Sequence, residues 1–288
     1  MPPASRRQVL RGLGAAALSV PLLSGLSACS KTDGGGKNSS QGNGKRLKVA
    51  IGNEPPYTKL NPDGTVTGAE PDVLQAVLTK LGYGEIEGVQ VDYDGMIAGL
   101  NSGRWDVIAA GLFMNVSRCG SIHYTSPVIV STESFAVLPG NPKNILSVAD
   151  LKANPSLKVA AIAGGFHEGF IKAGGVPDDQ IVQVKDTVSG VDALKADRVD
   201  AFCLSQLSLN DYKKTQSGFD VTAPIPDAPK SGSGAAFREE DKDLWGAYET
   251  AVEEFKKTQE FADILNKWGF DAEAPQGVTV EELCTSAG

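Results

Sequence analysis

Asp94-Gly95-Met96-Ile97-Ala98-Gly99-Leu100-Asn101-Ser102-Gly103-Arg104-Trp105-Asp106-Val107-Ile108-Ala109-Ala110-Gly111 holds a helix, a stop and a buried strand in one run. Asp94 is placed to cap the first free amides of a helix. Met96, Ile97 and Leu100 share a face at helical spacing. Gly103 can take the left-handed conformation that ends helices, and 106–110 then reads as a strand. Working outward, 47–52 is a second buried strand. The segment 71–81 carries Val73, Leu74, Val77, Leu78 and Leu81 at helical spacing, closed by Gly82, and 89–93 is a strand ending in Tyr93. Strand, helix, strand, helix, strand predicts an α/β domain with a largely parallel sheet.

The same grammar restarts at 158–162, where Gly164-Gly165 opens the next helix. It continues through a strand at 181–184, a helix at 189–196 and a strand at 199–203. Between the halves, 133–138 reads as an extended crossing, followed by Pro139-Gly140-Asn141-Pro142. Amphipathic helices are expected at 241–257 and 259–268. The expectation is two α/β lobes, 46–138 with 233–272 and 139–232, followed by a short tail at 273–288. Ligands of open α/β sheets sit at the carboxyl ends of strands, so two facing lobes make a cleft that can close by hinge motion.

The first residues read as an address. Ser5-Arg6-Arg7-Gln8-Val9-Leu10-Arg11 precedes a Gly/Ala/Leu-rich stretch broken by Gly14, Pro21 and Gly25. A basic start, a short apolar stretch and small residues at its end mark a signal peptide over 1–28. The paired arginines resemble a twin-arginine export signal. Leu26-Ser27-Ala28-Cys29 matches a lipobox, so Cys29 is expected to be lipidated and to anchor the protein outside the cytoplasmic membrane. The Gly/Ser/Asn/Lys-rich segment 29–45 cannot bury apolar surface and reads as a flexible tether. Residues 1–28 hold three arginines and no acids, so their removal takes the net charge from −8 to −11.

Composition excludes several classes. Hydrophobic residues make up 41% and charged residues 22%, ordinary for a protein with a real core. Basic residues do not cluster beyond the N-terminus, so no nucleic-acid partner is expected. The 4 cysteines are widely spaced and 2 histidines offer no ligand spacing, so neither a metal nor a cofactor is expected.

Three stretches together resemble the polar-amino-acid solute-binding proteins, which have a two-lobed type II periplasmic-binding-protein fold. They are Gly52-Asn53-Glu54-Pro55-Pro56-Tyr57 through Asp63-Gly64-Thr65-Val66-Thr67-Gly68, the 94–111 run, and the turn Asn115-Val116-Ser117-Arg118. Within that family Asn-Glu-Pro-Pro-Tyr at 53–57, Ala-Glu-Pro-Asp-Val at 69–73, Gly-Leu-Phe at 111–113, Ser-Arg-Cys at 117–119 and Gly-Val-Pro-Asp-Asp-Gln-Ile at 175–181 are similar to the ectoine/hydroxyectoine-binding proteins. The resemblance implies a monomeric, extracytoplasmic binding protein that passes a small zwitterion to ABC permease subunits driven by a cytoplasmic ATPase.

It also implies the site. Arg118 stands where the family grips a carboxylate, and a guanidinium can do so with two parallel hydrogen bonds. The α-ammonium-binding Asp of the usual member is replaced by Ser205, which leaves an ordinary amino acid without its counter-ion unless Glu54 or Asp211 takes over. Tyr57, Tyr93 and Phe113 match an aromatic cage for a diffuse cation, with Glu54 as its acid. Gly165 and Phe166 open the facing helix, where backbone amides can meet an anion and the ring can close the cage. His167 lies beside the cleft, His123 is expected to pack, and Trp105, Trp245 and Trp268 to be core. Cys119 is expected as a packed thiol and Cys284 as a free one; a bridge from Cys119 to Cys203 would staple the cleft against hinge motion and is not expected, and the sequence leaves the connectivity open. The rival readings are a binding protein for a polar or cationic amino acid or a betaine, and a dehydratase-type enzyme on the same fold. The enzyme is disfavoured because Glu54 is the only acid the sequence puts in the cleft. A signalling role for the loaded protein stays open.

Overall fold

A computed structural model describes residues 42–285. The expected leader at 1–28, Cys29 and the tether up to residue 41 lie outside the described residues, as do 286–288. Among the described residues no helix is long and apolar enough to cross a membrane.

The first lobe is built on a five-stranded sheet ordered Glu87–Gln90, Lys48–Ile51, Val107–Ile108, Ala236–Phe237, His123–Tyr124. The first three strands are parallel, as the βαβ alternation requires, and the other two join antiparallel. Side chains alternate across a strand, and Lys48–Ile51 feeds two cores. Val49 and Ile51 pack with Val73, Leu74, Val77 and Leu78 of helix Ala69–Lys80. Ala50 packs with Met96 and Leu100 of helix Tyr93–Asn101. Gly99 sits in that second helix because Trp105 lies across it: a Cβ there would stand 1.9 Å from the indole. A mid-helix glycine costs about 0.5–1 kcal/mol relative to alanine, offset here by the buried ring and its Nε1–H, which donates to Met96 O at 3.0 Å.

Two expectations shift. The strand through 89–93 stops at Gln90, and Tyr93 is the first residue of the helix. The Gly95 amide already donates to Asp92 O, so the first turn forms before Asp94 can act as cap.

The second sheet is ordered Ile181–Val184, Val159–Ile162, Ala201–Ser205, Glu133–Val137, Asp220–Val221. Its first three strands are parallel, and Glu133–Val137 runs antiparallel to both neighbours. All of Glu133–Val137 is buried, which corrects its reading as an extended crossing: it is an inner strand of lobe two. The chain crosses earlier, as Ile129–Ser131, paired antiparallel with the returning Ser231–Ser233. Helices Lys242–Phe255 and Gln259–Lys267 return to the first lobe, where Val252, Phe255, Phe261 and Leu265 join the core beside helix Ala69–Lys80. The fold is therefore α/β and two-lobed.

The segment read as a short tail is docked. Helix Val280–Leu283 places Leu283, 1% exposed, against the first lobe. Cys284 is bonded to Cys119, with Cα atoms 5.9 Å apart. This corrects both the packed thiol at 119 and the free one at 284. Cys203 is buried and unbonded in the other sheet.

Candidate functional site

Strand ends and first helical turns of both lobes enclose one cavity. It is lined by Glu54, Tyr57, Tyr93, Phe113 and Arg118 from the first lobe and by Gly165, Phe166 and His167 from the second. The cavity is about 20 Å³, room for a water molecule. An amino-acid-sized solute needs the lobes parted or the rings turned.

Glu54 leaves the strand Lys48–Ile51 in a tight loop, where its amide donates to Thr58 Oγ1 at 3.1 Å. The residue is 8% exposed. It accepts from Ser208 Oγ of lobe two at 2.7 Å and lies 3.1 Å from Tyr93 Oη. The Tyr93 hydroxyl also stands 2.9 Å from Ala110 O, and its one hydrogen serves one acceptor at a time. Burial pushes the Glu54 carboxyl above its ordinary range, while the Ser208 hydrogen bond and the charge of His167 pull it down.

Tyr57 is 1% exposed and donates to Ser131 Oγ at 2.7 Å on the crossing strand. Its ring meets Phe113 and Phe270 edge-on, at 5.6 and 4.8 Å. Gly111 makes room for it: φ is +65°, and a Cβ would stand 2.9 Å from the Tyr57 ring. The Gly111 amide is fixed by the buried carboxylate of Glu70 at 2.7 Å. Phe113 meets Phe166 edge-on at 5.6 Å, so the two lobes touch through aromatic rings.

Arg118 sits on the short helix Val116–Cys119, where its amide donates to the cap Asn115 Oδ1 at 2.8 Å. Its guanidinium is buried and donates to Phe113 O at 2.6 Å and across the cleft to Gly164 O at 2.7 Å. The arginine–carboxylate pairs among the described residues belong to Arg238. Arg118 thus faces the cavity with two carbonyls as its guanidinium's partners among the described residues, and burial pulls its pKa below the usual value. A buried cation without a counter-charge is costly, and an anion in the cavity would remove that cost.

On the facing side, Gly165 caps helix Phe166–Ala173. Its own amide is used by Ile162 O at 2.9 Å, and that of Gly164 by Glu168 Oε2 at 3.1 Å. Neither is free for an anion without rearrangement. Ser205 ends its strand fully buried and outside the lining. Its hydroxyl caps helix Gln206–Lys213, accepting from Ser208 N at 3.2 Å and donating to Ser208 Oγ at 3.0 Å. Ser208, one turn later, is the residue that reaches Glu54.

Ser208, Glu133 and Ser231 are three groups here that the sequence reading did not single out. Glu133, 1% exposed, pairs with Nε2 of His167 and accepts from the Ser231 hydroxyl. A glutamate at the head of the strand Glu-Ser-Phe-Ala-Val was the available hint. His123 packs against Trp245 at 5.2 Å, away from the cavity.

Residues 47–272 match the model of bacterial extracellular solute-binding proteins, family 3. The chain is 30% identical over 251 residues to a probable amino-acid ABC transporter periplasmic-binding protein of Sinorhizobium fredii, covering 83% of each chain. It is 28% identical to the L-cystine-binding protein TcyJ of Escherichia coli K12, over 91% of this chain and 95% of that one. Among solved structures, EhuB in complex with hydroxyectoine superposes with a TM-score of 0.80 at 38% identity, over 84% of this chain and 95% of that one. An ancestral arginine-binding protein bound to arginine gives 0.69 at 26% identity, over 78% and 98%. These relatives are binding proteins. The chain belongs to family 3 of the bacterial extracellular solute-binding proteins, the extracytoplasmic ligand-binding components of amino-acid-type ABC transporters that work with membrane permease and ATPase subunits.

Proposed function

We propose that the cleft binds ectoine or hydroxyectoine, with Arg118 answering the carboxylate and Glu54 with the rings of Tyr57, Tyr93 and Phe113 answering the ring-delocalised cation. The observation that carries this reading is that a buried guanidinium with no carboxylate partner among the described residues and a buried carboxyl line the same aromatic cavity. A diffuse cation gains roughly 0.5–2 kcal/mol from a ring face, whereas a compact ammonium needs localised acceptors. The likeness to hydroxyectoine-bound EhuB supports the same reading. Cys29, as the lipidated residue, would tether the protein beside its permease.

A second reading, a polar or cationic α-amino acid, is favoured by the names of the cystine- and arginine-binding relatives. It requires the Glu54 carboxylate to seat an ammonium, because Ser205 has no charge and is enclosed. Thermal melting of the purified protein with hydroxyectoine, ectoine, glycine betaine, cystine, arginine and glutamine separates the two. A ligand at 100 times its Kd stabilises the native state by about 2.7 kcal/mol, a rise of roughly 5–10 °C for a domain of this size. The ectoines should give that rise and arginine none; the reverse pattern would remove the ectoine reading.

The acid limb of binding follows from Glu54. Its pKa is raised by burial, so the ligand-free protein draws stability from its protonated form at low pH and loses that contribution as pH rises through the raised value. A bound cation favours the ionised form instead. Affinity should therefore fall as pH drops through the raised pKa of Glu54, by up to about tenfold per unit. Glu54→Gln should flatten this limb in a calorimetric titration series; an unchanged limb would place the responsible acid elsewhere.

A further inference from the structure

We infer that His167, held by Glu133, is a specificity-determining residue whose second ring nitrogen meets the solute. The inference rests on taking the aromatic cavity as the solute site.

His167 is the second residue of helix Phe166–Ala173, 5% exposed, and lines the cavity with its ring 6.1 Å from that of Phe113 and 5.9 Å from that of Phe166. Its Nε2 meets Glu133 Oε2, and the other oxygen of that carboxyl takes the Ser231 hydroxyl. Glu133 heads the inner strand of lobe two and Ser231 stands on the returning crossing strand. The pair is thus anchored to the framework around which the lobes move. Glu133 does not line the cavity, so the imidazole stands between that carboxylate and a solute.

An ionised carboxylate only accepts hydrogen bonds, so Nε2 carries its hydrogen and Nδ1 is the nitrogen left to meet a solute. A neutral ring presents Nδ1 as an acceptor for a solute N–H. An imidazolium presents it as a donor to a solute oxygen. The charged and titratable groups around the pair are few. Glu54 and Arg118 line the same cavity, as do the hydroxyls of Tyr57 and Tyr93, and the Cys203 thiol feels Glu133. Burial pushes both hydroxyls and the thiol upward, so they stay neutral, and it pushes the Glu54 carboxyl upward as well. The pair therefore acts through geometry: Glu133 fixes the ring, and the nitrogen left over selects a solute that offers it a complementary hydrogen bond.

The test is calorimetry on the full chain at one fixed pH with two probes, hydroxyectoine as zwitterion and arginine as monocation. His167→Ala removes the ring nitrogen left to meet the solute, so affinity for whichever probe binds wild type should fall about 2- to 12-fold, the range of one net hydrogen bond. Glu133→Gln loosens the hold on the ring and should lower the affinity in the same direction by less; it serves as the second variant should the first fail to fold. Wild-type affinity in both variants overturns the role of His167 alone. A wild type that binds neither probe overturns the site reading and this inference with it.

Discussion

Alanine at position 118 should lower solute affinity by about 30-fold to several thousand-fold while leaving the ligand-free fold intact. That range is the roughly 2–5 kcal/mol lost when one partner of a buried charged hydrogen-bonded pair is removed. It applies here because the guanidinium is enclosed and has no carboxylate to fall back on among the described residues. Its existing partners are two carbonyls, Phe113 O and Gly164 O, which are weaker than an incoming carboxylate. The ligand-free protein loses two hydrogen bonds but also sheds a desolvated charge, so its melting temperature should move little. Arg118→Lys separates charge from shape. Lysine restores the positive charge but cannot form the planar fork, so its affinity should lie between wild type and alanine. Wild-type affinity in Arg118→Ala would mean that the anion is held elsewhere. Equal loss in both variants would assign the effect to the fork rather than to the charge.

The elements that make the cleft were legible because their signals are local. Met96, Ile97 and Leu100 mark a helix by spacing, and Asp106-Val107-Ile108 a strand by composition, so Arg118 falls beyond a strand end in any α/β arrangement. Glu54, Tyr57 and Phe113 follow from the same rule about strand ends. What the sequence hid is what depends on distant partners. Ser205 was expected in the site; its hydroxyl caps a helix and also stands against the Tyr57 hydroxyl, while Ser208 makes the contact to Glu54, 154 positions away. Nothing local distinguishes those two serines; the helical turn between them decides which one points across the cleft. Glu133 reads as one acid in an extended segment. Its meaning comes from His167, 34 positions on, and Ser231, 98 positions on. The crossing was misplaced for a related reason, since an inner antiparallel strand and an extended linker have the same residue pattern until their neighbours are known.

Removing the Cys119–Cys284 bond should cost more stability than any other covalent change considered. The bridge closes 165 positions of chain. In the chain-entropy view a loop of that size restrains the unfolded state by about 5 kcal/mol, and measured bridges more often give 2–4. For a domain of this size each kcal/mol moves the melting temperature by roughly 2–4 °C. Cys119→Ser with Cys284→Ser should therefore melt on the order of 10 °C lower. The effect is not only on the unfolded chain. Leu283 is buried next to the bond, and a Cβ added to Gly232 on the crossing strand would stand 2.9 Å from it. Glu282 pairs with Lys230 at 2.7 Å, at the start of the same crossing. The tail thus braces both the helix that carries Arg118 and the strand that returns between the lobes. Losing the bond should weaken solute binding as well as stability, because Arg118 precedes Cys119 directly on that helix. Reductant added to wild type should reproduce the lower melting temperature and leave the double serine variant unaffected. If the double variant melts with wild type, the tail is held by the packing of Val278 and Leu283 and by the Glu282–Lys230 pair, and the bond adds nothing. If stability falls and affinity does not, the brace acts on the unfolded chain rather than on the position of Arg118.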